Sequence, residues 1–133
     1  RSIASGLQQH IARDDIEGKL CLVCCNLKAA KLAGFKSHGM ILCAVDEDKV
    51  EVVEPPDNAA VGERVVLSLT HNDLSGFSLE PASPNQVKKK KIFQLVAQEL
   101  RVNGDSTAEF MGRALRTSAG LCTVESIVDS AVC

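Results

Sequence analysis

Short apolar runs separated by polar turns dominate the first half of the chain. Leu20–Cys25 is almost wholly apolar and strand-compatible, as are residues 39–45, GMILCAV. Asp46-Glu47-Asp48 forms a polar turn between the second run and Lys49–Val53, whose partial alternation predicts a half-exposed strand and therefore a hairpin. Pro55-Pro56-Asp57-Asn58 ends it, Gly62 supplies another turn, and Arg64–Leu69 predicts a further strand. This rhythm of short strands fits a small Greek-key barrel, and no glycine-rich strand-to-helix turn of the nucleotide-binding kind occurs.

Beyond residue 69 the pattern changes. Residues 70–86 are polar and turn-rich and read as a connecting loop. In KKKKIFQLVAQEL, the apolar positions Ile92, Leu95, Val96 and Leu100 recur at helical spacing, with Asn85 placed to cap a helix that opens with Lys88–Lys91. Cations there oppose the helix dipole by about 0.3–1 kcal/mol each, which an anionic partner would offset; an ordinary solvated lysine run is the alternative. After Gly104 the segments TAEF, RALRTS and 120–124 read as small strands, with a turn at Gly112. The division is residues 1–86 as the barrel and 87–133 as an extension packed on it.

With 133 residues and 45% apolar content, the chain suits one globular domain with a real core. No apolar run is long enough to span a membrane, and none near Arg1 looks like an export signal; the start at Arg1 rather than Met suggests lost upstream sequence. The net charge of −2 argues against a polyanionic partner until its distribution is considered. Residues 1–45 hold six Lys/Arg against three acids, 46–86 hold two against nine, and 87–133 hold seven against five. Should the ends meet in space, a basic face can coexist with an acidic back.

Six cysteines invite a disulfide or metal reading. On a strand, Cys21 and Cys24 lie roughly 10 Å apart on opposite faces, too far for a disulfide and wrongly disposed for a shared zinc ion. Cys43, Cys122 and Cys133 stand alone in sequence. The cysteines are expected to be small buried fillers in a reducing compartment, with no metal and no cofactor. Nor does any cysteine have a neighbouring His, and Asp14-Asp15 and Asp46-Glu47-Asp48 read as solvated turn acids, so no catalytic residue is assigned.

LVCCNLKAAKLAGFKSHGMILCA, VEVVEPPDNAAVGERV and the loop leading into KKKKIF resemble, in order, the motifs of the tRNA-binding domain family. That family includes small dimeric bacterial tRNA-binding proteins, C-terminal extensions of some methionyl- and tyrosyl-tRNA synthetases, and the endothelial monocyte-activating polypeptide II group, to which the likeness is closest. The resemblance implies a mainly β protein, an OB-fold Greek-key barrel with a small α+β C-terminal extension, which binds tRNA by shape and phosphate contacts. It implies a noncatalytic appendage, cytoplasmic, attached to an aminoacyl-tRNA synthetase or a multi-synthetase complex; a protein-interaction or signalling module of the same family is the alternative. Ala29 stands where the family has proline. Family members also carry two strands ahead of a segment like Ile3–Leu7, so the first strands are expected to be missing, through truncation or supply by another chain.

On this reading Lys28, Lys31 and Lys36 lie in a loop and approach phosphates as mobile point charges, with Lys88, Lys89, Lys90 and Lys91 extending the basic track. Asn26 either contacts a base edge or sugar or caps the strand end. Ser37 is a phosphate or 2′-hydroxyl contact, and Met40 is either an apolar seat for a base or core. Phe35, in a chain with four Phe and no Trp or Tyr, is the stacking residue unless it is buried. Arg113 and Arg116 are weaker candidates.

Overall fold

A computed structural model describes residues 1–68 and 80–133. Leu69 of the expected fourth strand and residues 70–79 of the expected loop lie outside the described residues.

The chain opens with a 3-10 turn, Leu7–Gln9, and a short helix α1, Arg13–Ile16. Strands β1 (Val23–Cys24), β2 (Ala30–Leu32), β3 (Phe35–Ser37), β4 (Met40–Ile41), β5 (Cys43–Asp46), β6 (Lys49–Val52) and β7 (Val66–Leu67) follow. Helices α2 (Pro84–Lys89) and α3 (Ile92–Ala97) lead into β8 (Leu100–Val102), β9 (Ala108–Phe110), β10 (Arg113–Thr117), β11 (Gly120–Leu121) and β12 (Ser130–Val132). The protein is mainly β, and its strand pairings are antiparallel.

The principal sheet runs β11-β10-β9-β8-β12-β5-β6, with β7 also paired to β10, while β1-β4 and β2-β3 form two small ladders. Strand β12 inserts between β8 and β5, so residues from both ends of the chain share one sheet. One core serves both parts: Ala44, Val53, Val102, Ala108, Cys122 and Val132 are almost completely buried. Small and β-branched side chains fill it, as suits closely packed sheet faces.

The hairpin expected around Asp46-Glu47-Asp48 is present as β5–β6, with Asp46 opposite Lys49. The expected strand at 39–45 divides at Leu42. Leu42 N donates to Leu22 O at 3.0 Å and Val53 N donates to Leu42 O at 2.9 Å, so the backbone changes partners there. β4 thus serves β1, and β5 serves β6 and β12.

The lysine-rich helix differs most from expectation. Ser83, not Asn85, is the N-cap: its hydroxyl accepts from Gln86 N at 3.2 Å, while Ser83 N donates to Gln86 Oε1 at 3.0 Å. These reciprocal bonds form a capping box, and Pro84 at the first helical position adds a backbone already set for the helix. The helix then breaks, because Lys91 adopts a left-handed conformation with φ 51° and begins α3. Lys88 and Lys89 therefore occupy the last turn of α2, where the dipole favours cations. The expected dipole penalty falls away for Lys88 and Lys89, and remains only for Lys91, the N-cap of α3, with Lys90 before it.

Candidate nucleic-acid interface

The segment between β1 and β4 is not a loose loop but a two-stranded ribbon. Ala33 and Gly34, at φ 50° and 82°, make the tight turn that matches the twist of paired strands. The register sets Ala30 opposite Ser37, Lys31 opposite Lys36 and Leu32 opposite Phe35. Because side chains alternate between faces, Lys31 and Lys36 share one face and Leu32 and Phe35 the other. Phe35 adjoins Lys36 in sequence, yet the ribbon turns it away from the lysines.

Directly opposed like charges destabilise a ladder. Lys28, Lys31 and Lys36 are exposed, and among the described residues none has a carboxylate in salt-bridge contact, whereas Arg13 pairs with Glu17 and Lys19 with Glu54. The Lys31–Lys36 face is thus an uncompensated cationic pair carried on a ribbon rather than on the loop expected from sequence.

The base of the ribbon is tied down by groups that the sequence had suggested as ligand contacts. Ser37 Oγ accepts from Ala4 N at 3.1 Å and donates to Gly39 O at 3.1 Å, which commits its proton inside the protein. His38 N donates to Ser2 O at 2.9 Å, and Arg1 Nη1 donates to His38 O at 3.1 Å, so residues 1–4 run alongside 37–39. Gly39 permits this approach: a Cβ there would lie 3.0 Å from Ile3 Cδ1 and 3.2 Å from Cys24 O. Met40, half-buried, pairs with Cys24 across the β1-β4 ladder.

Asn26 lies just beyond β1 and does a job that its sequence position did not reveal. Its Nδ2 donates to Ala82 O at 3.0 Å, and its Oδ1 accepts a weak bond from Cys24 Sγ at 3.6 Å. Ala82 immediately precedes the Ser83 cap, so one amide joins the root of the lysine ribbon to the root of the lysine helix. Val87, buried, anchors α2 at a cavity of about 280 Å³ lined also by Leu22, Cys24, Asn26, Leu27 and Phe93. Lys88, Lys89, Lys90 and Lys91 are all exposed at the far end of α2. Arg116 is also exposed and donates to Thr117 O at 3.3 Å, on β10, while Arg113 opens the same strand.

The acids collect elsewhere. A separate cleft of about 850 Å³ is lined by Asp14, Asp15, Asp48, Glu51, Glu54 and Glu125 with Lys19 and Lys49, and shares no residue with the ribbon or with α2 and α3. Burial raises the Cys21 thiol, with Glu54 adding to the effect; burial likewise raises Cys24, opposed by the Asn26 backbone amide. Among the described residues, no group of three or more His, Cys, Asp or Glu is arranged to hold a metal ion, and no helix is long and apolar enough to cross a membrane.

Comparison with known proteins gives this arrangement a context. The chain is 40% identical over 135 aligned residues to a probable methionine–tRNA ligase of Oryza sativa subsp. japonica, covering 99% of this chain and 16% of that protein. It is 28% identical to the aminoacyl tRNA synthase complex-interacting multifunctional protein 1 of Cricetulus griseus, covering 99% of this chain and 35% of that protein. The chain thus spans 16% and 35% of the length of these curated relatives. Among solved structures, the C-terminal domain of Plasmodium vivax p43 superposes with a TM-score of 0.76 at 29% identity, over 98% of this chain and 76% of that one. Residues 1–64, the stretch containing the lysine ribbon and its anchors, match the family described as "Putative tRNA binding domain", and this stretch belongs to that family of tRNA-binding domains.

Proposed function

We propose that this chain is a noncatalytic tRNA-binding module of an aminoacyl-tRNA synthetase or a synthetase-associated protein, which raises the local concentration of tRNA for an enzymatic site elsewhere. The observation that carries the reading is the opposed Lys31–Lys36 pair, without a carboxylate partner, on a ribbon within the family-matching segment. Phosphates placed against that face would relieve the cation repulsion, so binding and ribbon stability reinforce one another. Lys28 extends the same ribbon, and Lys88–Lys91 supply a second group of cations tied to the first through Asn26.

Roles divide by chemistry. The lysines provide affinity through phosphates and carry no base specificity. Asn26 retains one N–H and part of its carbonyl capacity beyond its internal bonds, enough for one base or sugar contact. Ser37 acts chiefly by fixing the ribbon, with a remaining lone pair for a 2′-hydroxyl, and Met40 offers an apolar edge beside it. Phe35, 49% exposed, offers a stacking surface on the ribbon's other face, next to Leu32.

The reading extends to the whole protein. Residues 1–86 form an OB-type tRNA-binding barrel and 87–133 the extension that braces it through β12 and β10. The setting is cytoplasmic, among synthetases or a multi-synthetase complex, in keeping with relatives named as cytoplasmic ligases. A further partner is a chain or segment supplying additional barrel strands: among the described strands β1 pairs with β4 alone, which leaves an edge for it.

Filter binding of tRNA, duplex RNA and single-stranded DNA across a salt series tests the proposal. Log affinity for tRNA is expected to fall by ~0.9 per phosphate neutralised on duplex regions. Lys31→Ala combined with Lys36→Ala should lower the affinity about tenfold or more and flatten that slope by about two phosphates. Unmeasurable tRNA binding at low salt, or an unchanged slope in the double variant, overturns it.

A further inference from the structure

Strands β5 and β12 bring together cysteines that lie far apart in sequence and that the proposed RNA site does not use. Cys43 N donates to Cys133 O at 2.8 Å, and Cys133 N donates to Cys43 O at 2.9 Å. The register runs Val45–Ala131, then Ala44–Val132, and the reciprocal bonds continue it to Cys43–Cys133. Residues exchanging both bonds across antiparallel strands have Cα atoms ~5.5 Å apart and side chains on the same face. That separation lies within the ~4.4–6.8 Å found for disulfides. The neighbours Ala44 and Val132 point into the core, so the two thiols share the sheet's other face.

We propose that Cys43 and Cys133 are a disulfide-forming pair, an oxidation-sensitive clip that fastens β12 to β5. Access sets the order of events, because Cys133 is exposed and Cys43 is buried. With a small disulfide such as oxidised glutathione as oxidant, the Cys133 thiolate attacks one of its sulfurs. A mixed disulfide forms, and one glutathione thiolate leaves. Cys43 then gives its proton to solvent and attacks Cys133 Sγ, expelling the second glutathione thiolate. Two protein thiols are oxidised by two electrons in all, and one disulfide is reduced to two thiols.

The second step is the slow one. Burial pushes the Cys43 thiol up to about 11, and the nearby Cys133 and Cys21 thiols push it in the same direction. Little Cys43 thiolate exists at neutral pH, so closure of the clip should accelerate as pH rises, while reducing conditions keep both thiols free.

Incubating the 133-residue chain with glutathione disulfide at neutral and mildly alkaline pH, followed by acid quench, alkylation and non-reducing peptide mapping, tests this. The expected product is an intrachain Cys43–Cys133 peptide pair, formed faster at the higher pH. The protein should lose the mass of two hydrogens and regain it with dithiothreitol. Its thermal midpoint should rise on oxidation, and Cys133→Ser, at an exposed position, should abolish both changes. Accumulation of only a Cys133–glutathione adduct, a bridge to Cys21 instead, or a disulfide between chains would each overturn the proposal.

Discussion

Glu51 shows how one side chain can hold two distant segments together. It is buried on β6, and its carboxylate accepts from Ser126 N at 2.9 and 3.0 Å and from Ser126 Oγ at 3.0 and 3.3 Å. Ile127 N donates to the same carboxylate, and Ile127 itself belongs to the core. Burial works to raise the carboxyl's pKa, but the Ser126 and Ile127 amides, the Ser126 hydroxyl and the Lys49 charge outweigh it and leave it lowered. A lowered folded value means that the stabilisation is fully present above the ordinary value of about 4.3 and is lost as pH falls through the folded value. Glu51→Gln presents an amide where the carboxylate met three donors, two of them backbone N–H groups, leaving one N–H unpaired at about 1–3 kcal/mol. Its urea midpoint should therefore drop at neutral pH, and the gap from the parent protein should narrow in acid. An equal gap at every pH would show that the charge of Glu51 contributes nothing to folding.

Elements were legible where local chemistry alone decides them. The β5–β6 hairpin needs only an apolar run, three acids and a second run, and Asp46 to Lys49 turns where those residues indicate. The division at Leu42 could not be seen in this way, since it arises from two partners far along the chain, Leu22 and Val53. The ribbon was hidden for a different reason. Both its faces are exposed, so no core-facing alternation marks it, and its signal lay in Ala33-Gly34 and the lysines of matching register. Helix α2 was misjudged at both ends: Ser83 and Gln86 have capping-box spacing three residues apart, whereas nothing about Lys91, in a run of good helix formers, announces a left-handed break. Six residues of helix cannot persist on propensity alone, so α2 depends on that cap and on Val87. Ser83→Ala should cost about 1 kcal/mol in thermal or chemical denaturation and weaken tRNA binding, with Ser83→Asp restoring the stability. Loss of binding without loss of stability would mean that Ser83 acts on the ligand rather than on the helix.

At the scale of the molecule, an overall charge of −2 conceals segregation. Acids from α1, the β5–β6 turn and the 125 region line one cleft, while the lysines stand on the ribbon and at the end of α2. Composition revealed the uneven distribution along the chain. It could not reveal the Asn26–Ala82 bond that links the two lysine-bearing elements, because that contact joins residues 56 apart. Asn26 is therefore a positioning residue whose removal leaves every charge in place. Two cation groups held at a fixed spacing engage one folded polyanion together, and groups that move independently engage it with a larger entropic cost. Asn26→Ala should lower tRNA affinity several-fold, a loss of about 1 kcal/mol, and should make the salt slope shallower although no lysine has changed. Asn26→Gln, with a longer reach to the same carbonyl, should recover part of both. If Asn26→Ala weakens binding while the slope stays as steep as in the parent, the amide acts only through its own contact with the RNA and the two lysine groups need no strut between them.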